Sequence, residues 1–365
     1  MTLARASVVP YLLQRKLVSP QAVVDGEVKV TEGSSRNRNF KVVASPGNAY
    51  LLKQGNSPEG HMTVATEGGF YSQLQPDSGA GPLAGYLPRS YGYDPVEQVL
   101  VLEWVQDSQT LREFQVGRGS FPTAIADAVA RFLATLHRWG KEPDDWAGNV
   151  RKGPGHPAWA PPTRHRAPGL VAGLAGINPG LAGMVQNHSR FCDLLEQAYS
   201  AWSMEAPIHG DIKWDNVLLV GTPAPGQTPT IKVVDWELLN YGDPCWDAGS
   251  FFVDYLALWV FSSAGSPAYP VHVSLESLQP AMQAFWATYA AEMRLDRPAA
   301  AAWLRRAIRF TGLRLVQNAF EIAQVNSQAM PVVTTMLQLG WNVLERPDEA
   351  GTYLLGIPVR EEVSA

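Results

Sequence analysis

Polar and β-rich apolar positions interleave in three short stretches near the start of the chain, EVKVTEG (27–33), NFKVVAS (39–45) and AYLLKQG (49–55). Each reads as a strand, with SSRNR and PGN as the intervening turns. TVATEGGFYSQLQ (63–75) has a mixed helical pattern that Gly68 and Gly69 weaken, and PDSGAGPLAGYLP (76–88) reads as loop. QVLVLEWV (98–105) is a strongly apolar strand. Beyond it, Ile125, Val129, Phe132, Leu133 and Leu136 recur at helical spacing over 122–139, with Pro122 at the helix start. Residues 140–186 are rich in Pro and Gly and keep no period, as expected of an irregular surface connection. A helix returns at SRFCDLLEQAYSAW (189–202). VLLV (217–220) and IKVV (231–234) then form one hairpin, and after about residue 247 all is helix and loop, with Phe285, Trp303 and Leu315 as core candidates. Strands first and helices afterwards predict an α+β fold rather than a doubly wound sheet. The expected division is 1–105 and 106–365.

The stretch HGDIKWDN (209–216), just before that hairpin, crowds polar side chains at the mouth of a buried strand. With the arms antiparallel, Asn216 begins one and Asp235 ends the other. Directly opposed residues have Cβ atoms about 4.5–5.5 Å apart, close enough for an amide oxygen and a carboxylate to share a hard cation such as Mg2+. Asp211, five residues before Asn216, is placed to accept a proton from an attacking hydroxyl. Any one of these residues is also explained as an ordinary turn former at a strand end.

Composition narrows the partners. The chain has 365 residues, 17% charged, 46% hydrophobic, with a formal net charge of −5, which speaks against nucleic acid as a partner. Two cysteines, Cys192 and Cys245, form no ligand cluster and suit a reducing cytoplasm. The apolar run before Leu13 is too short for a signal segment. The uncharged stretches 167–188 and 255–275 are broken by Gly and Pro, so no membrane span is expected.

HGDIKWDN, followed by VVDWE (233–237) and GDPCWDAG (242–249), resembles the aminoglycoside phosphotransferase and choline kinase family, over roughly 26–255. The resemblance implies a bilobal protein-kinase-like fold, with a β-rich N-lobe (1–105) and a helical C-lobe (106–365), using ATP and Mg2+. It makes Asp211 the catalytic base and Asn216 and Asp235 the metal ligands. His209 braces the catalytic loop, and Asp247 accepts hydrogen bonds from that loop's backbone. Lys53 matches the phosphate-binding lysine, with Glu67 as its helical partner and Glu59 as the alternative. Lys213 lies where protein serine/threonine kinases place a lysine that meets the γ-phosphate; the other reading is a solvent-facing loop lysine. TEGSSRNRNF (31–40) takes the place of the glycine-rich loop, with Ser34 and Ser35 as candidates to cradle phosphate and Arg36 or Arg38 to assist; an ordinary hairpin turn with exposed Arg explains each side chain equally well. Backbone groups of Glu103, Trp104 and Val105 form the hinge that meets adenine, although Trp104 also reads as core. No Walker A motif is present.

For the acceptor, residues 248–340 set Asp254, Glu276, Glu292, Asp296 and Glu321 against Arg294, Arg297, Arg305, Arg306, Arg309 and Arg314. That balance disfavours polycationic aminoglycosides. The runs DWELLNYGDPCWDAGSFFVDYLALWV and RLVQNAFEIAQ resemble kinases of class V lanthipeptide and thioamitide pathways, which phosphorylate Ser or Thr of a precursor peptide for a partner lyase. Trp259, Phe285 and Trp286, with the Arg-bearing helix 303–314, are candidate walls of a peptide groove, although each read singly is better explained as helical core. The alternatives are a small-molecule kinase acting on a sugar, amino alcohol or antibiotic, and a pseudokinase-like nucleotide-binding scaffold.

Overall fold

The computed structural model describes residues 2–33, 37–45, 48–74, 81–139, 156, 157, 159–163, 179–223, 226–265, 272–326 and 329–359. It divides into two units, Met1–Thr110 with Asn216–Leu239, and Leu111–Asp215 with Asn240–Ala365.

In the first unit the three N-terminal strands form as the alternation predicts: β1 Lys29–Gly33, β2 Arg38–Ser45 and β3 Asn48–Gln54. Two more complete an antiparallel sheet, β4 Ser90–Asp94 and β5 Val99–Glu103, in the order β1-β2-β3-β5-β4. β4 lacks an apolar pattern and all its residues are half-buried, which is why the sequence does not announce it. Two N-terminal helices, α1 Arg5–Gln14 and α2 Pro20–Val24, are likewise not predicted. α1 exists because the sheet needs a cover: Val8, Tyr11 and Leu12 pack with Phe40, Val42, Leu52 and Val101 in one buried cluster.

α3, Pro58–Gln73, runs through both of its glycines, with Ser57 capping its start by accepting the Gly60 N–H at 3.0 Å. A Cβ on Gly68 would stand 2.4 Å from the Tyr93 ring, whereas one on Gly69 would meet nothing within 4 Å. Gly68 is therefore the condition for α3 lying against β4. After a short α4, Gly81–Ala84, the unit is completed by a second sheet of β6 Ser108–Thr110, β8 Val217–Val220 and β9 Thr230–Val233.

Among its described residues the second unit is helical apart from one small ladder, β7 Ala206–Ile208 with β10 Asn240–Gly242. Its helices are α5 Leu111–Arg118, α6 Thr123–Arg138, α7 Pro179–Gln186, α8 Ser189–Ser200, α9 Pro244–Ser263, α10 Leu275–Glu292, α11 Arg297–Val325, α12 Met330–Glu345 and α13 Pro347–Tyr353. Most of 140–178 lies outside the described residues. α9 and α11 approach closely enough that a Cβ on Gly249 would sit 2.4 Å from the Ala307 carbonyl, and Thr311 Oγ1 donates to the Gly249 carbonyl at 3.0 Å. Phe285 and Trp286 are 0% and 6% exposed. They are core, not groove walls: the helical stripe that carries them faces inward. Among the described residues no helix is long and apolar enough to cross a membrane.

Candidate active site

Lys53 sits on β3 on the face opposite Leu52, and both are buried: Leu52 in the cluster with α1, and Lys53, only 7% exposed, on the side of α3. A buried ammonium needs partners, and it has two carboxylates. Its Nζ lies 3.1 and 2.8 Å from the Glu67 oxygens on α3 and 2.9 Å from Asp235 Oδ1. Burial alone pushes the lysine's pKa down, but Glu67 and Asp235 outweigh it and hold the pKa above the ordinary range, so the group is charged. Glu67 also accepts the Trp236 N–H at 3.4 Å. Glu59, the alternative partner, is exposed in the first turn of α3.

The hairpin carries Asn216 and Asp235 with one correction to the expected register. Val217 pairs with Val233, so Asn216 faces Val234, whose N–H donates to the Asn216 carbonyl at 3.0 Å. Asp235 is one step further along. In a continued strand that step would send it to the opposite face. Instead Asp235 leaves the ladder with φ +69° and ψ 60°, a left-handed conformation that re-aims its side chain and opens a 3-10 turn, Trp236–Leu238. Asn216 is 5% exposed, and the Asp235 side chain is 35% exposed. Among the described residues no group of three or more His, Cys, Asp or Glu side chains is arranged to hold a metal. One carboxylate and one amide oxygen fit Mg2+, which completes its shell with water and phosphate oxygens.

At the hinge, Glu103 donates its N–H to the Arg89 carbonyl (2.8 Å) and Trp104 donates its N–H to Ala49 (2.9 Å). The Trp104 and Glu103 amides are thus taken. The Trp104 ring lies under Lys41 Nζ, 4.1 Å from the ring centre. Ser34, Ser35 and Arg36 lie outside the described residues. Arg38 Nη1 donates to the Leu3 carbonyl at 2.8 Å, which ties it to the N-terminal segment rather than to a phosphate loop.

In the second unit, β7 delivers the loop 209–215 beside α9, because its ladder partner β10 runs straight into the Asp243 cap of that helix. Two carboxylates seven residues apart on α9 share one face and are spaced by about two turns. Asp247, 0% exposed, accepts the His209 N–H at 2.7 Å and the Gly210 N–H at 3.0 Å. Asp254 accepts the Trp214 N–H at 2.7 Å and an Arg112 N–H at 2.8 Å. Burial raises the Asp254 pKa, against the opposing pull of Arg112. The loop is therefore held at both ends, with Gly210 supplying φ +82° between them. His209 is buried, its Nδ1 accepting the Asp211 N–H at 3.3 Å, and His137 Nε2 on α6 lies 3.2 Å from Asp247.

Asp211 stands inside this frame with a cation on each oxygen: Arg314 Nη2 lies 2.9 Å from Oδ1, and Lys213 Nζ 2.5 Å from Oδ2. Burial pushes the carboxyl pKa up, but Arg314 and then Lys213 overcome it and hold it below the usual value. The sequence reading did not single out Arg112, His137, Asp254 or Arg314 as site residues. A usable signal existed: Asp254 repeats Asp247 at i+7, and Arg314 continues the buried stripe Ala307, Phe310, Thr311 of α11.

The sequence pattern of the phosphotransferase enzyme family matches residues 27–285. A 4-hydroxytryptamine kinase of Psilocybe cyanescens is 26% identical over 192 residues, 48% of this chain. The matched region spans about half (48%) of that relative's length. Choline kinase of Cryptosporidium parvum Iowa II superposes with TM-score 0.58 at 12% identity, covering 95% of this chain and 98% of that one. An amicoumacin kinase in complex with AMP-PNP and Ca2+ superposes with TM-score 0.51 at 12% identity, covering 92% and 96%. The fold is thus α+β and kinase-like.

Proposed function

The chain belongs to the phosphotransferase enzyme family, and we propose that it transfers the γ-phosphoryl group of ATP to an alcohol hydroxyl with Mg2+. The observation that carries this reading is the buried Lys53 shared between Glu67 and Asp235, a fixed positive charge for a nucleotide's phosphates. Asn216 and Asp235 would hold Mg2+, which would supply neutralisation of charge on the transferring phosphoryl group. Asp211 orients the acceptor hydroxyl and takes its proton. Glu103 and Val105 frame the adenine. His209 and Asp247 hold the loop that carries Asp211. Lys213, paired with Asp211 at rest, is the counter-ion for the arriving phosphate.

The acceptor is a small-molecule alcohol, in keeping with the 4-hydroxytryptamine, choline and amicoumacin kinases that the chain resembles. Three of the six arginines that argue by count against a cationic acceptor are already paired with carboxylates: Arg314 with Asp211, Arg306 with Glu205 and Asp243, Arg305 with Asp348. A second reading, Ser or Thr of a precursor peptide later processed by a lyase, is favoured by Lys213 standing on Asp211. Transfer of γ-32P from ATP to a panel of amino alcohols, hydroxyindoles, sugars and Ser/Thr peptides separates the two. Label on a peptide alone overturns the small-molecule assignment. Nucleotide binding with no transfer, to water included, overturns phosphotransfer and supports a scaffold.

A further inference from the structure

We propose, resting on the phosphotransfer reading, that Arg314 is a positioning residue that clamps Oδ1 of Asp211 and so selects Oδ2 as the oxygen presented to the acceptor. Two cations share this carboxylate, and they are not equivalent. The Arg314 side chain is 7% exposed, and the Lys213 side chain 39%. Arg314 comes from the middle of α11, on the buried stripe whose Ala307 and Thr311 meet α9 at Gly249. Its guanidinium lies 5.4 Å from the Trp246 ring centre, and the same indole donates Nε1–H to the Gly210 carbonyl at 2.9 Å. One aromatic side chain thus braces both the clamp and the loop that it clamps. A planar, always-charged fork suits that fixed role, whereas a lysine on a flexible stem suits a partner that yields its place.

In the reaction, the acceptor oxygen bonds the γ-phosphorus while the bond from that phosphorus to the β–γ bridging oxygen breaks, leaving its electron pair on ADP. The hydroxyl proton passes to Asp211 Oδ2, from which Lys213 has moved. Arg314 stays on Oδ1 throughout, so the carboxylate cannot rotate its basic oxygen away. The groups facing Asp211 include Arg314 from α11 and Lys213 and His209 from its own loop.

The test measures phosphate release from MgATP, with water as the acceptor, in the full chain, Arg314→Met, Arg314→Lys, Asp211→Asn and the double variant Asp211→Asn/Arg314→Met. The expected result is a fall in kcat of about 10- to 100-fold in Arg314→Met, with KM for ATP unchanged. Arg314→Lys or added guanidinium should recover part of it. In the Asp211→Asn background the same change should cost less than about threefold, because both act through one carboxylate. An equal loss in both backgrounds, or a loss confined to KM for ATP, overturns the clamp. If Arg314→Met does not fold, full turnover in Arg314→Lys without any change in its rate on added guanidinium overturns it as well. A parent chain that releases no phosphate, or an Asp211→Asn variant as fast as the parent, instead defeats the phosphotransfer reading itself.

Discussion

Replacing Asp247 tests how the fold positions the proposed base, Asp211. This carboxylate is wholly buried and receives two backbone N–H groups, from His209 at 2.7 Å and Gly210 at 3.0 Å, with His137 Nε2 at 3.2 Å. Asp247→Ala leaves both backbone donors without an acceptor in a site water does not reach. Each such orphan costs about 1–3 kcal/mol, so the variant should lose about 2–6 kcal/mol. That is a large part of the roughly 5–15 kcal/mol that holds a typical domain together. Asp247→Asn keeps one oxygen and sets an NH2 against the second donor, so about half the loss is expected. Urea unfolding followed by tryptophan fluorescence reads both variants, with stability taken by linear extrapolation. Turnover should fall in each, since Gly210 immediately precedes Asp211. An Asp247→Ala variant within about 1 kcal/mol of the parent, the scale of one net hydrogen bond, would refute the claim that α9 tethers this loop.

Asp211→Asn should lower turnover roughly 10²–10⁴-fold with ATP affinity retained, as checked by phosphate transfer and nucleotide titration. The same residue predicts a pH dependence: its pKa is depressed in the folded chain, so its stabilising charge is fully present above the unfolded carboxylate value of about 3.9 and is lost as pH falls through the lower, folded value. The stability gap between parent and Asp211→Asn should accordingly stay constant from about pH 5 to 8 and close only in more acid urea melts. Glu67→Ala leaves Lys53 buried with one carboxylate and should cost about 3–5 kcal/mol in the same melts, together with a raised KM for ATP. Gly69→Ala should stabilise by about 0.5–1 kcal/mol, because its Cβ meets nothing, while Gly68→Ala should destabilise by driving a methyl into Tyr93; thermal melts with the same sign for both would contradict the packing of α3.

Much of the strand-then-helix order was readable because burial imposes a period. β1, β2, β3 and β5 alternate or run apolar where the chain does, and α6 and α8 follow their apolar stripes. β4 and α1 were not readable. Half-buried β4 borrows its order from β5, and α1 is held by the sheet it covers rather than by any strong pattern of its own. The two glycines of α3 lowered its helical character without stopping it, since Gly68 is set by contact with a distant ring.

Chemistry divides along the same line. The candidate residues at 209–216 and 235, and the lysine on the third strand, were readable from the letters alone, because the proposed phosphate and hard-cation chemistry demands carboxylates, amides and a fixed positive charge at short spacing. Which oxygen of Asp211 is held, which carboxylate reaches Lys53, and how Asp235 leaves its strand depend on neighbours 103, 14 and 182 residues apart and on a left-handed backbone turn. A linear pattern encodes which face a residue takes on its own element; only packing one element against another decides what it meets there.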